Sequence, residues 1–420
     1  MVQILFKGNT HQNRNEAVDE DNRKIYMKHE IIYERDELFD VNMVIVFQIE
    51  IAGTYQFDKF KEAFENAIKA NRTLMSRVLL EADGRAYYVD NDVPKSSIRE
   101  VDEELDLVRQ REEKKRFHVE DGEFLRAFVK KNEEDTSILL LMHHLGGDGK
   151  SVLYFIEDFM TFLSGGTKEF KEIRTAETEK KLDPISKGIL RYYNSRWNGK
   201  VFNFDDLDKA YEAYWKNRTS LLDTQVIEKE EMEDILDECR GAGVKYTAYL
   251  TAKLISEESG KMDVGYAVDY RHDKNRSMGN QASGISVEHK YDPSKSLMQN
   301  AKEIQKKLDK KMKDHYKSSY ILNFVGGIDR TLRDAVNLEH AGYYHDKVSY
   351  GFAKLMGYVG KTKDYSITNL TVADIPAKYG EYEIKQILFA GPVVSYGKRI
   401  IGVVTFNGKT VITRHVRKPE

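Results

Sequence analysis

An unbroken apolar run, Ile138-Leu139-Leu140-Leu141-Met142, passes directly into His143-His144-Leu145-Gly146-Gly147-Asp148-Gly149 and then into the amphipathic stretch from Ser151 to Leu163. That order dictates a buried strand, a polar turn and a helix in immediate succession. Two histidines and an aspartate leaving a core together must be solvated, paired or used, because unpartnered polar groups are costly to bury. Neighbouring residues of a strand face opposite sides of its sheet, so one of His143 and His144 can face a cleft while the other packs inward. The glycines let the chain turn tightly and let another molecule approach the backbone. The arrangement is that of a general base at the mouth of a channel.

Other readings of the same residues compete. A histidine at a strand end is more often structural than catalytic. A zinc site needs further ligands at metal-binding spacing, and the single cysteine, Cys239, is remote in sequence; no metal is expected. The string Gly147-Asp148-Gly149-Lys150-Ser151 invites a phosphate-loop reading, but that motif requires glycine five residues before Gly149, where His144 stands.

A chain of 420 residues exceeds one ordinary hydrophobic core. Two subdomains are expected, over residues 1–180, which carry the histidine motif, and 181–420. A net charge of −3 gives no basic surface of the kind nucleic acid demands. No apolar run approaches the ~18 residues of a membrane helix. Met1 to Thr10 shows only a short apolar patch and no cleavage-like segment, so no signal peptide is expected. One cysteine forms no internal disulfide, which fits a cytoplasmic location.

Strands are expected at Asn42 to Ile51, Phe124 to Lys130, Thr136 to Met142, Thr224 to Ile227, Val264 to Asp269, Gly284 to Glu288, Tyr365 to Thr371, Ile384 to Ala390, Ile400 to Phe406 and Val411 to His415. Arg77 to Glu81 and Arg85 to Asp90 read as a hairpin around Ala82-Asp83-Gly84. Helical spacing runs through Phe57, Phe60, Phe64 and Ile68, from Glu228 to Arg240, and from Leu297 to Lys313. Thr247 is expected to cap a helix that reaches Ser256. The charged stretch Glu103 to Arg116 reads as a solvated helix, and residues 164–222 as a crossover between halves. Hairpins and helices mixed in two similar halves imply an α/β architecture with mixed sheets.

A second constellation, Asp269-Tyr270-Arg271 followed by Met278-Gly279-Asn280, gains meaning beside the histidine motif. Together they make the chain resemble the superfamily of thioester-dependent acyltransferases: condensation domains of non-ribosomal peptide synthesis, plant BAHD enzymes, wax ester synthases and bacterial alcohol-acetyltransferase-like proteins. The signature His-His-x-x-x-Asp-Gly is matched by His143, His144, Asp148 and Gly149. Asp269-x-Arg271 before Gly279-Asn280 resembles a BAHD-type segment. Ser366 to Leu370 and the Gly391-Pro392 turn are similar to the late strand and turn of the bacterial members. The resemblance covers residues from about 30 to 415. The BAHD motif Asp-Phe-Gly-Trp-Gly is absent, Asn323-Phe324-Val325-Gly326-Gly327 has no assigned role, and no attached carrier domain is expected, so a peptide-synthetase role would need a partner in trans.

The resemblance implies two chloramphenicol-acetyltransferase-like subdomains in a V-shaped arrangement with a channel at their interface. It implies acyl-CoA or acyl-phosphopantetheine as co-substrate, an alcohol or amine acceptor, and no bound cofactor. His144 would be the general base, neutral at cytoplasmic pH on the basis of a free imidazole pKa of about 6.5. His143 would be structural, Asp148 would turn away and pair with Arg271, and Gly149 would leave room for a pantetheine arm or supply a backbone donor. Ser366, Thr368 and Asn369 are oxyanion candidates. No acyl-enzyme is required. The alternatives are a condensation enzyme working with a carrier protein in trans, and a non-catalytic member that retains the fold for binding.

Overall fold

The computed structural model describes residues 15–18, 25–178, 181–271 and 276–419. Met1 to Thr10 lies outside them. Two six-stranded sheets dominate. Across the first, the strands are Lys378–Tyr379, Tyr382–Ala390, Val44–Ala52, Asp135–His143, Leu125–Lys131 and Ser97–Glu100. Across the second they are Ala282–Lys290, Lys261–Asp269, Tyr365–Val372, Ile400–Phe406, Lys409–Pro419 and Arg218–Ile227. The expected hairpin, Ser76–Leu80 with Ala86–Asp90, belongs to a smaller third sheet.

The apolar run lies at the centre of the first sheet. Asp135–His143 pairs antiparallel with Val44–Ala52 on one side and with Leu125–Lys131 on the other. Ile138 through Met142 are all buried, as befits a strand covered on both faces. Chain order does not sort strands into lobes. Tyr382–Ala390 pairs antiparallel with Val44–Ala52, so the first sheet holds a strand from beyond the 180/181 division. That strand passes close over the second sheet. A Cβ at Gly402 would stand 2.5 Å from Phe389 O, so only glycine admits the crossing.

Three expectations need correction. The charged helix, Leu105–Glu113, is not a solvated face: Arg109, Glu112 and Glu113 are buried. Arg109 Nη1 lies 2.8 Å from Glu113 Oε2 and donates to Ser220 Oγ at 2.7 Å. The helix packs between strands of the two large sheets, and a run of charges does not reveal that its members pair with one another. Residues 164–222 are more than a connection, since they form helices Pro184–Asn194 and Phe204–Trp215 and bury Trp197 and Trp215. Thr247 caps nothing. The helix begins at Tyr246 after Lys245, and the Thr247 hydroxyl instead accepts from Asn369 Nδ2 at 3.0 Å. No helix among the described residues is long and apolar enough to cross a membrane.

Candidate active site

The strand Asp135–His143 ends, a single 3-10 turn follows at His144–Gly146, and the helix Gly149–Leu163 begins. Alternation along the strand separates the two histidines. His143 is buried against the Phe117 ring, and its Nδ1 accepts from Leu145 N at 3.2 Å. Burial, then the positive charges of His144, Arg116 and Arg126, push its pKa down to about 3, so it stays neutral. His144 is tied by its backbone N–H to Met43 O at 2.9 Å and turns its ring the other way.

That ring lines a cavity of about 680 Å³. Tyr33, Glu34, Glu37 and Met43 join it from the first half of the chain, and Tyr266, Asn280, Ser366 and Thr368 from the second. His144 Nδ1 lies 3.3 Å from Glu37 Oε1. This is an ion-pair distance, but the N–H is poorly aimed for a full hydrogen bond, so attraction between charges joins the two. The side chain is 16% exposed while Nδ1 is shut off from solvent, which leaves Nε2 as its accessible edge. Burial alone would lower the His144 pKa. The Glu37 carboxylate outweighs it, helped by the charge of Asp148, and the pKa rises above the ordinary value. The shift runs opposite to that of His143 and makes His144 the more readily protonated of the two rings.

Asp148 faces away from this cavity and caps the helix, with Oδ1 accepting from Ser151 N at 3.0 Å. The same oxygen lies 2.8 Å from Arg271 Nη2, and Oδ2 accepts from Gln281 N at 3.0 Å. Burial opposes the charge on Asp148, but Arg271 prevails and holds its pKa below the usual carboxylate range. Arg271 also reaches Asp269, at 3.1 Å. The chain's two halves are thus joined directly behind the histidine turn. Gly147 is part of the joint: at φ 142° its missing Cβ would meet Ser151 Cβ at 2.4 Å.

The remaining candidates divide. Ser366 and Thr368 line the cavity, and the Ser366 hydroxyl is buried without a partner. Asn369 lies on the opposite side of the same strand. Its amide donates to Thr247 and its carbonyl accepts from Thr371 N at 2.8 Å, so it does not reach the cavity. Gly149 serves packing: a Cβ there would stand 2.8 Å from Leu370 Cδ2 and 3.2 Å from Phe389 Cε2, so the space beside it is filled. The expected room for a pantetheine arm does not lie where its Cβ would stand. Sequence reasoning missed Glu34 and Glu37, which precede the first sheet and carry no motif. Their only signal was acidic residues in a short stretch, Tyr33-Glu34-Arg35-Asp36-Glu37, ahead of a strongly apolar strand. Among the described residues, no group of three or more histidine, cysteine, aspartate or glutamate side chains is arranged to hold a metal.

No family model matches the sequence. An alignment of 182 positions that covers 41% of this chain is 30% identical to bacitracin synthase 3 of Bacillus licheniformis. It corresponds to 2% of that protein, far below two thirds of its length. Solved structures match nearly throughout. The trichothecene 15-O-acetyltransferase of Fusarium sporotrichioides has a TM-score of 0.63 at 12% identity, over 94% of this chain and 92% of that one. The first condensation domain of the CDA synthetase has a TM-score of 0.59 at 13% identity, over 93% and 90%. The resemblance read from the sequence therefore holds at the level of architecture: this chain has the mixed α/β, chloramphenicol-acetyltransferase-like fold that the condensation domain and the acetyltransferase share.

Proposed function

We propose that this protein transfers an acyl group from a thioester donor, acyl-CoA or acyl-phosphopantetheine, to an alcohol or amine acceptor, with His144 as general base. One observation carries the reading: an imidazole between the two lobes offers an accessible nitrogen to a cavity while its other nitrogen is backed by the Glu37 carboxylate. With Nδ1 protonated toward Glu37, Nε2 is left as acceptor. An acceptor O–H or N–H donates to Nε2 as its heavy atom attacks the thioester carbonyl. The imidazolium, stabilised by Glu37, then protonates the departing thiolate. Such base assistance supplies about 10²–10⁴-fold in rate, and holding both substrates in one cavity adds to it. Ser366 Oγ and Thr368 Oγ1 are the side-chain donors proposed to face the oxyanion. Asp148 and Arg271 fix the turn that presents His144. A reducing cytoplasm suits both the thiol product and the single cysteine.

A carrier-bound donor or acceptor is the second reading, supported by the segment similar to bacitracin synthase 3. The test is free-thiol release from a panel of acyl-CoAs and acyl-carrier thioesters, with mixed alcohols and amines. His144→Ala is expected to lower transfer by about 10²–10⁴-fold. Unchanged transfer in that variant would refute the assigned base, and no thiol release from any donor would favour a non-catalytic binding role.

A further inference from the structure

We propose that the helices Pro184–Asn194 and Lys347–Met356 form a face that docks on an anionic lipid surface, with the cavity opening into it. The docking goes beyond the acyl-transfer reading above and does not depend on it.

The first argument is what these helices leave uncovered. They lie side by side, with the Tyr193 ring 4.7 Å from that of Phe352 and with Ile189 and Leu355 lining the same cavity. Their outer faces are apolar. Ile185, Ile189 and Tyr192 share one face of the first helix by their spacing, and Ile185 is 76% exposed and Tyr192 51%. On the second helix Leu355 is 50% exposed and Tyr350 44%. Apolar side chains gathered in this way mark a surface that something else covers.

The second argument is charge. The two helices carry Lys187, Arg191, Lys347 and Lys354 and no acidic residue. All four cations are exposed, and among the described residues none has a carboxylate partner. The flanking Asp183 and Asp346 are spent on capping, since each accepts from two backbone N–H groups. Arg196 adds a fifth cation, stacked over the Tyr192 ring at 3.9 Å. On a chain of net charge −3 this is a local reversal of sign. Apolar side chains set among unpaired lysines and arginines match the two components of a bilayer surface, hydrocarbon and phosphate.

The third argument is continuity. Leu355 is half exposed and is also part of the cavity wall, so the cavity opens beside it. The same cavity is walled by Ile189, Ile321, Leu322, Val325 and Met356 and holds the His144 ring. A hydrocarbon chain leaving a bilayer at this face would find apolar walls rather than water. A folded partner could cover the patch, but it would bring no hydrocarbon to the opening.

Vesicle sedimentation of the full chain, without donor or acceptor, tests this separately from catalysis. Vesicles of phosphatidylcholine alone are compared with vesicles in which a third of the lipid is phosphatidylglycerol. The chain is expected to bind the anionic vesicles about tenfold or more tightly than the neutral ones, and to be released by about 0.5 M NaCl. Lys187→Gln combined with Lys354→Gln should weaken that binding about 25-fold, at about fivefold for each charge near the surface. Ile185→Ser should weaken it about tenfold. All three side chains are exposed, so both variants are expected to keep the wild-type melting temperature. If a variant does not fold, the wild-type comparison of the two vesicle types decides. No binding to anionic vesicles, equal binding to both types, or unchanged binding in both variants would each overturn the proposal. So would self-association, or binding of a phosphopantetheinylated carrier protein, that the variants abolish while vesicles go unbound. Failure of acyl transfer with every donor, alongside selective binding to anionic vesicles, would overturn the catalytic reading and leave the docking face standing.

Discussion

Two carboxylate sites flank the histidine turn, and they are finished differently. Asp148 has both oxygens occupied, Oδ1 by Arg271, Ser151 N and Ser151 Oγ and Oδ2 by Gln281 N. Glu34 and Glu37 each keep a buried oxygen with no partner. A carboxylate whose acceptor sites are filled by its own chain is a joint. One whose buried oxygen lacks a donor keeps acceptor capacity that its own chain does not use. The same contrast separates His143 from His144 and Asn369 from Ser366, with the saturated member of each pair turned into the protein.

The contrast breaks most visibly at the joint. Asp148→Ala takes from the enclosed Arg271 guanidinium its buried carboxylate, leaving only the half-exposed Asp269, and is expected to cost about 3 kcal/mol in urea unfolding. Conversion of both residues to apolar side chains should cost less, because no lone charge remains. Next comes the strand Tyr365–Val372. If the unpartnered hydroxyl serves the oxyanion, Ser366→Ala lowers kcat about 10²-fold, whereas Asn369→Ala leaves kcat nearly unchanged. An equal effect of the two on steady-state rates would erase the distinction. Glu37→Gln is a smaller change. Removing the charge that raises the His144 pKa moves the acid limb of kcat/KM to lower pH, with a loss of about tenfold in kcat as the imidazolium loses its support. The smallest effect concerns His143. Its folded pKa of about 3 lies below the ordinary 6.5, so the unfolded chain binds more protons between those values. Stability contributed by the neutral ring is complete above pH 6.5 and is lost as pH falls toward 3. His340, pushed down to about 4 by burial and then by Arg417, acts in the same direction. His143→Asn should flatten the slope of unfolding free energy against pH without removing it.

Much of the scaffold was legible because period and punctuation agree. The helix read through Phe57, Phe60, Phe64 and Ile68 is found at Phe57–Lys69, and the turn at Ala82-Asp83-Gly84 joins its two strands. The orientation of His143 against His144 follows from strand alternation alone. The sides of Ser366 and Asn369 follow from the same rule, which divides the three strand polars by position although their chemistry looks alike. The helices Arg330–His340 and Lys347–Met356 were missed although each opens on a capping aspartate, Asp329 and Asp346. Glu34 and Glu37 could not be read at all. Their role depends on which charges lack a partner in three dimensions, and the sequence around them holds as many cations as a surface turn would. The buried Arg109–Glu113 pair was misjudged for the same reason.

The placement of Tyr382–Ala390 against Val44–Ala52 bears on synthesis at the ribosome. The first sheet cannot be completed until Tyr382–Ala390 has emerged, more than 300 residues after Val44–Ala52. Until then Val44–Ala52, among the most apolar segments of the protein, presents a bare edge able to template pairing between nascent copies. Slow translation or truncation ahead of Tyr382 would prolong that exposure and favour inclusion bodies, while tethering the late strand close to the early one by circular permutation would shorten it.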